Sequence, residues 1–100
     1  MKFYSTLGLL ALGAMPLLAQ ADVEHGQKLF LQSCASCHGK QAEKPALGQS
    51  AIVNQLEMEE VIEALQDRKS GKIRGAGNSA KSRLSDEDMK DIGEFIKSLQ

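Results

Sequence analysis

The sequence predicts a small all-α domain, and three observations support this prediction. Apolar residues recur at spacings of three or four in several stretches of residues 22–100, as they do on one face of a helix. No stretch reads as a convincing strand. The segments between the periodic stretches are rich in Gly, Ser and polar residues, which is typical of loops.

Residues 1–21 have the pattern of a secretory signal peptide. Lys2 supplies a short positive start, an apolar run extends from Leu7 to Leu18, and Ala19-Gln20-Ala21 has the small-x-small form of a cleavage site. The apolar run is about a dozen residues, whereas a membrane-spanning helix needs about 20. We therefore expect cleavage after Ala21, no integral membrane anchor, and a periplasmic protein with one domain over residues 22–100.

Composition and charge narrow the possible partners. Removal of residues 1–21 takes away one cation, Lys2, and no acid, so the formal net charge falls from −1 to −2. The sequence has no basic excess and no long polybasic run, so it gives no indication of nucleic acid or a membrane surface as a partner. Phe30 and Phe95 are the only aromatic residues of the domain, so we expect something besides side chains to fill its core.

Three helices are predicted in chain order. The first is VEHGQKLFLQSCASCH, whose apolar face contains Val23, Gly26, Phe30, Cys34 and Cys37. The second runs from about Glu57 to Asp67 and stops near Ser70-Gly71, with inward residues Met58, Val61, Ile62 and Leu65. The third begins at the capping box Ser85-Asp86-Glu87-Asp88 and has a stripe of Met89, Ile92, Ile96 and Leu99, with Phe95 beside it. The segments GKQAEKPALGQS and SGKIRGAGNSAKS are predicted to be loops.

The stretch CASCHG, residues 34–39, contains both cysteines and one of the two histidines. Four chemistries suit such a cluster: a disulfide, a thioredoxin-like redox pair, part of a zinc site, or covalent haem attachment. No strand precedes Cys34 as a redox pair requires, zinc could add only the distant His25, and a disulfide leaves His38 without a role. Haem attachment uses all three residues, with thioethers at Cys34 and Cys37 and His38 as the iron ligand. We predict one covalently bound haem c.

At these residues the sequence resembles the class I c-type cytochromes, specifically their small bacterial monohaem branch. The resemblance covers all of residues 22–100 and includes Gly26-x-x-Leu29-Phe30, ALGQSA, ALQDRKSG and LSDEDMKDIGEFIKSLQ. It implies the small class I cytochrome c fold, with three to four helices wrapped around the haem. It also implies that Gly26 and Phe30 lie where the first helix crosses the last, against Ile92 and Phe95.

The resemblance also implies partners for the two faces of the haem. In the family, a proline carbonyl often accepts the second ring N–H of the ligating histidine, which suggests Pro45 for His38, with a rigid turn as the alternative. His25 is expected to be solvated. In the family, the sixth iron ligand is usually a methionine about seven residues before the position of Leu84. That position is Gly77, and no methionine occurs from Ile73 to Leu84.

Other residues must therefore be considered for the distal position. Met58 and Met89 fit the apolar faces of their helices and are expected to be core residues. Asn78 is short and polar enough to approach the iron, so we name it as the candidate distal ligand, with a turn residue as the alternative. Lys72 and Lys81 rank lower, because an ammonium must lose a proton before it can bind iron.

The segment before the last helix is strongly basic. The resemblance places it beside the exposed haem edge, where it would attract redox partner proteins that are acidic at the docking face. A solvated loop is the alternative. We call these cations the basic collar: Arg68, Lys69, Lys72, Arg74, Lys81 and Arg83, with no acid among them.

The expected function follows from the cofactor. No Ser/His/Asp arrangement and no phosphate-binding glycine motif occurs, so we predict no enzyme. We expect a monomeric periplasmic cytochrome that carries single electrons between respiratory partners. The alternative is a high-spin haem protein whose open or weakly ligated sixth position binds or senses a small gas such as nitric oxide.

Overall fold

The computed structural model describes residues 22–100, and the predicted signal peptide, residues 1–21, lies outside the described residues. The described part contains the α-helices α1 (Val23–Ser33), α2 (Ala35–His38), α3 (Met58–Ser70), α4 (Asn78–Lys81) and α5 (Asp86–Ser98), with 3-10 turns at Ala46–Gly48 and Val53–Gln55. No strand occurs within these residues, so the all-α prediction is confirmed. None of these helices is long and apolar enough to cross a membrane.

The structure has more helices than the three to four expected, because two of the five are single turns. The first predicted helix is interrupted at Cys34, which has φ −123° and ψ −31°, and α2 is a separate turn of four residues. The turn α4 lies in a segment predicted to be a loop, and it follows Gly77 at φ 87°. Turns of four residues are too short to show a hydrophobic period, so the sequence pattern does not reveal them.

Helices α1 and α5 cross in direct backbone contact at Gly26. A Cβ atom on Gly26 would lie 2.0 Å from the carbonyl oxygen of Asp91 and 2.9 Å from the nitrogen of Ile92, so only glycine fits there. One turn further along, the rings of Phe30 and Phe95 pack with their centroids 5.5 Å apart. This crossing is the one that the resemblance implied.

A polar cluster joins the same two helices near the N-terminus, and we call it the N-terminal clasp: Asp22, His25 and Asp91. Nδ1 of His25 lies 2.8 Å from Oδ2 of the buried Asp91, and the backbone nitrogen of Asp22 donates to Oδ1 of Asp91 over 3.0 Å. The hydrogen bond to Asp91 raises the pKa of His25. The His25 side chain is 41% exposed, in line with the expectation of a solvated residue, and its ring also binds a carboxylate across the helix pair.

The remaining core forms where α3 packs on α5. The start of α5 has the predicted capping box: Ser85 Oγ accepts from Asp88 N at 3.0 Å, and Asp88 Oδ2 accepts from Ser85 N at 2.9 Å. Helix α3 ends at Ser70, where it was predicted to stop, and Gly71 adopts a left-handed conformation with φ 86°. The buried apolar side chains shared by these two helices are Val61, Leu65, Met89, Ile92, Phe95 and Ile96.

Candidate functional site

A cleft of about 490 Å³ lies in front of α1 and α2 and is closed on the opposite side by the segment that precedes α5. Its wall contains Cys34, Cys37 and His38, so the structure brings together the three residues named as haem-binding. Much of the lining is apolar and comes from Phe30 and Ile92, together with side chains of α3. The volume falls within the range of about 300–1,000 Å³ typical of cofactor sites.

Local backbone geometry places the three residues on one turn. The nitrogen of Cys34 donates to the carbonyl of Phe30 at 2.8 Å, which ends α1. The nitrogens of Cys37 and His38 then donate to the carbonyl of Cys34 at 3.2 and 3.0 Å. Helix α2 is therefore a single turn that begins directly after Cys34. Gly39 ends it with φ 84°, a value that favours glycine.

The state of the thiols argues against two of the four chemistries. Cys34 and Cys37 are both free, and burial raises the pKa of the Cys34 thiol. A thioredoxin-like pair requires the opposite shift, because the thiolate is the reactive form. A zinc site would need His25 as a further ligand, but this ring is bound to Asp91. The geometry therefore favours thioether formation over redox or zinc chemistry.

The ring of His38 has the features of an iron ligand. Burial lowers its pKa, and the positive charges of Lys81 and Arg68 lower it further, which favours the neutral imidazole that metal binding requires. Its Nδ1 is buried without a hydrogen-bond partner within residues 22–100. An iron-bound histidine normally donates this N–H to a carbonyl, which fixes the ring angle. The orphaned Nδ1 and the two neighbouring thiols fit covalently attached haem.

The expected acceptor for this N–H, the carbonyl of Pro45, is engaged in a turn. The carbonyl of Pro45 accepts from the nitrogen of Gly48 at 3.0 Å and so belongs to a 3-10 turn. The backbone of Lys44 acts on His38 instead: it raises the pKa of the ring, and its nitrogen donates to the His38 carbonyl at 2.8 Å. No carbonyl of residues 22–100 makes a hydrogen bond with Nδ1. Pro45 as its acceptor stays a prediction.

Asn78 is held by two hydrogen bonds within the loop. Its Oδ1 accepts from Nη1 of Arg68 at 3.3 Å, and its Nδ2 donates to the carbonyl of Ile73 at 2.7 Å. Asn78 is also absent from the residues that line the cleft. Distal ligation by Asn78 stays a prediction, and it requires its oxygen to leave Arg68.

Lys81 reaches into the cleft from α4. It is half-buried, and its Nζ lies 3.1 Å from the position that a Cβ atom on Gly77 would take. Burial lowers the pKa of Lys81, and the neighbouring Arg68 adds to this effect. From the sequence, Lys81 ranks low because an ammonium must lose a proton before it can bind iron. The burial that lowers its pKa cannot be read from the sequence.

The basic collar is divided by the structure into inward and outward cations. Arg68, Arg74 and Lys81 line the cleft, and no Asp or Glu does so among residues 22–100. Lys69 donates to the carbonyl of Leu84 and so helps to hold the segment that precedes α5. Lys72 and Arg83 are exposed.

A helical domain that carries Cys-x-x-Cys-His on the wall of an apolar cleft is the architecture of a class I c-type cytochrome. Residues 23–100 match the family model for cytochrome c. The chain therefore belongs to the cytochrome c family, whose members carry covalently attached haem c and take part in electron transfer. The predictions of the family, the fold class and the cofactor are confirmed.

Two curated relatives match along nearly the whole chain. Cytochrome c-553 of Helicobacter pylori strain ATCC 700392 / 26695 is 40% identical over 93 residues, which cover 92% of this chain and 96% of that protein. Cytochrome c-553 of Helicobacter pylori strain J99 is 38% identical over 100 residues, which cover 99% of this chain and 98% of that protein. The similarity therefore includes the cleft and all five helices.

Proposed function

We propose that this protein is a periplasmic monohaem carrier that passes single electrons between respiratory partners. Cys34 and Cys37 form thioethers to the haem vinyl groups, and His38 ligates the iron. The observation that carries the proposal is the juxtaposition of these three side chains on one turn at the cleft wall, with Nδ1 of His38 buried and without a partner. Haem c, when bound, supplies an iron that changes its oxidation state by one electron.

The chain's own residues hold and shield this group. Phe30 and Ile92 provide apolar surface behind it, and Val61 and Leu65 extend that surface from α3. Such surroundings exclude water from the iron, which favours the less charged ferrous state. The role of the protein is therefore to orient one imidazole and to keep the cleft dry.

Export is supported by the position of Asp22. Its backbone nitrogen lies 3.0 Å from Oδ1 of the buried Asp91. In a chain cleaved after Ala21, this nitrogen is the positive N-terminal ammonium, so cleavage there turns an ordinary hydrogen bond into a charge-assisted one. A cut at this position therefore strengthens the N-terminal clasp.

The basic collar supports the proposal that the redox partner is acidic at its docking face. Its inward cations line the cleft, and Lys72 and Arg83 are exposed to solvent. A local positive field on a chain of slightly negative net charge orients an approaching acidic protein toward this mouth. We propose that the protein is a monomer and docks here without a membrane anchor.

A second function is favoured by one observation, the lack of methionine from Ile73 to Leu84. An iron with an open or weakly bound sixth position would bind or sense a small gas such as nitric oxide. Carbon monoxide titration of the reduced protein separates the two functions. Rapid and complete binding would favour the gas-binding protein, and resistance would favour the carrier.

Haem attachment is tested by denaturing electrophoresis with haem staining, after maturation of the protein in a competent periplasm. We expect stain on the wild-type chain, a strong loss in Cys34→Ala and in Cys37→Ala, and near-complete loss in the double variant. His25→Ala is the matched control and should retain the stain, since its ring lies at the clasp. A wild-type chain without stain would contradict the proposed function.

A further inference from the structure

We propose that Lys81 supplies the sixth iron ligand through Nζ, in the place where the family has a methionine. This inference rests on the proposed function, because it requires the haem to be bound through His38. It assigns the distal ligand to the last residue of α4, Lys81, whereas the sequence had suggested its first residue, Asn78.

The backbone directs Lys81 over Gly77. Lys81 is four residues after Gly77, and its nitrogen donates to the Gly77 carbonyl at 3.2 Å, so the two residues are stacked on one face of the turn. Its Nζ lies 3.1 Å from the position of a Cβ atom on Gly77. The sulfur of a methionine at position 77 would be two bonds beyond that Cβ. The amine therefore occupies the space that such a side chain would fill.

The surroundings favour an amine that can donate its lone pair. No acidic side chain lines the cleft within residues 22–100, so no carboxylate is placed there to hold Lys81 as an ammonium ion. Burial lowers the pKa of Lys81, and repulsion by the nearby Arg68 lowers it further. A neutral primary amine is a good ligand for ferric iron.

The other candidates are engaged elsewhere. Lys69 donates to the carbonyl of Leu84, and Lys72 is exposed outside the cleft lining. The amide of Asn78 is bonded to Arg68 and to Ile73. Of these side chains, only Lys81 lines the cleft.

The test is the spin state of the purified ferric holoprotein, measured by electron paramagnetic resonance and optical spectroscopy. We expect a low-spin wild type without the long-wavelength sulfur-to-iron band. Lys81→Ala should lose the low-spin signal and become high-spin. Lys72→Ala is the matched control, since it removes the same charge from the same segment, and it should keep the wild-type spectrum, as should Asn78→Ala.

A second variant keeps the inference testable if Lys81→Ala folds poorly. Lys81→Met keeps an unbranched side chain of similar bulk and removes the amine, and its sulfur lies two bonds nearer the backbone than Nζ, so the wild-type low-spin signal should be lost. Imidazole titration of the ferric protein gives an independent measurement. If Lys81 holds the iron for about nine-tenths of the time, the apparent affinity for imidazole is about tenfold weaker in wild type than in Lys81→Ala.

Three results would overturn the inference: a high-spin wild type, a low-spin Lys81→Ala, or loss of the low-spin signal in Asn78→Ala alone. Haem staining of the same preparations separates this failure from failure of the proposed function. Stained chains with an unchanged Lys81→Ala spectrum exclude only the lysine ligand. Unstained chains exclude covalent haem binding itself.

Discussion

Gly26 shows how one missing side chain determines a helix crossing. The hypothetical Cβ would meet the backbone of Asp91, and a backbone cannot turn aside as a side chain can. Gly93 on α5 offers a contrast, because a Cβ there would meet Ile62 and Met58 at 3.0–3.2 Å, all side-chain atoms. The two glycines differ in what must move if a methyl group is added.

We predict that Gly26→Ala lowers the free energy of unfolding of the holoprotein by about 3 kcal/mol or more, because it forces α1 and α5 apart. Gly93→Ala is the control and should change it by less than about 1 kcal/mol, because the better helix propensity of alanine offsets the crowding. Guanidinium unfolding followed by circular dichroism measures both. Equal losses in the two variants would contradict the backbone contact.

At the level of helices, the N-terminal clasp fastens the start of α1 to the middle of α5. His25 binds the buried Asp91, and the carboxylates of Asp88 and Asp22 add to the attraction for a protonated ring. The pKa of His25 in the folded protein is therefore raised from its ordinary value of 6.5. A raised folded pKa gives stability that is complete below the unfolded value and is lost as the pH rises through the folded value.

We predict that the melting temperature of the wild type falls relative to that of His25→Gln as the pH increases from about 5 to about 8.5. His38 is the only other histidine. As the proposed iron ligand of the holoprotein, it should not contribute to this difference. Thermal melts in a pH series provide the measurement. Parallel curves for wild type and His25→Gln would show that the clasp does not depend on protonation.

The sequence predicts the long elements well and the short ones poorly. Helix α5 has a capping box and a continuous apolar stripe, so its start and its buried face were predicted correctly. The break at Cys34 and the turn α4 are each local events that hydrophobic spacing cannot show.

The candidate site was predictable only where covalent chemistry fixes the spacing. Cys34, Cys37 and His38 were named because thioether attachment requires that order, and the structure brings all three to one cleft. The position of Lys44 beside His38 and the inward direction of Lys81 depend on how the segments after α2 and α3 fold back over the cleft. Neither fact is encoded in a local pattern of residues.

At the scale of the whole molecule, charge is distributed unevenly over a nearly neutral surface. The formal net charge is −1 for the full chain, yet the segment from Arg68 to Arg83 contains only cations among its charged residues. Attraction to a partner therefore depends on one region of the surface and should be sensitive to dissolved salt.

We predict that electron exchange with an acidic redox protein slows steeply as the ionic strength rises, because the screening length at ~0.15 M is only about 8 Å. Charge reversal in Lys72→Glu with Arg74→Glu should flatten this dependence. The control reverses two exposed lysines on α1 and α5, Lys28→Glu with Lys97→Glu, and should leave it steep. The measurement is the stopped-flow rate of electron exchange over a series of salt concentrations. If the salt dependence of Lys72→Glu with Arg74→Glu equals that of wild type, docking occurs elsewhere on the surface.

Helix α1 leads without interruption from the N-terminal clasp to Cys34, and it is fixed along its length by the backbone contact at Gly26 and the ring contact at Phe30. Any shift of α1 would carry the attached cofactor and His38 with it. Every nuclear displacement between the oxidised and reduced states adds to the reorganisation energy of electron transfer, whereas a preorganised site needs little displacement. By anchoring α1 at several points, the fold lets the iron change charge while its protein surroundings remain still, which lowers the activation barrier to each transfer.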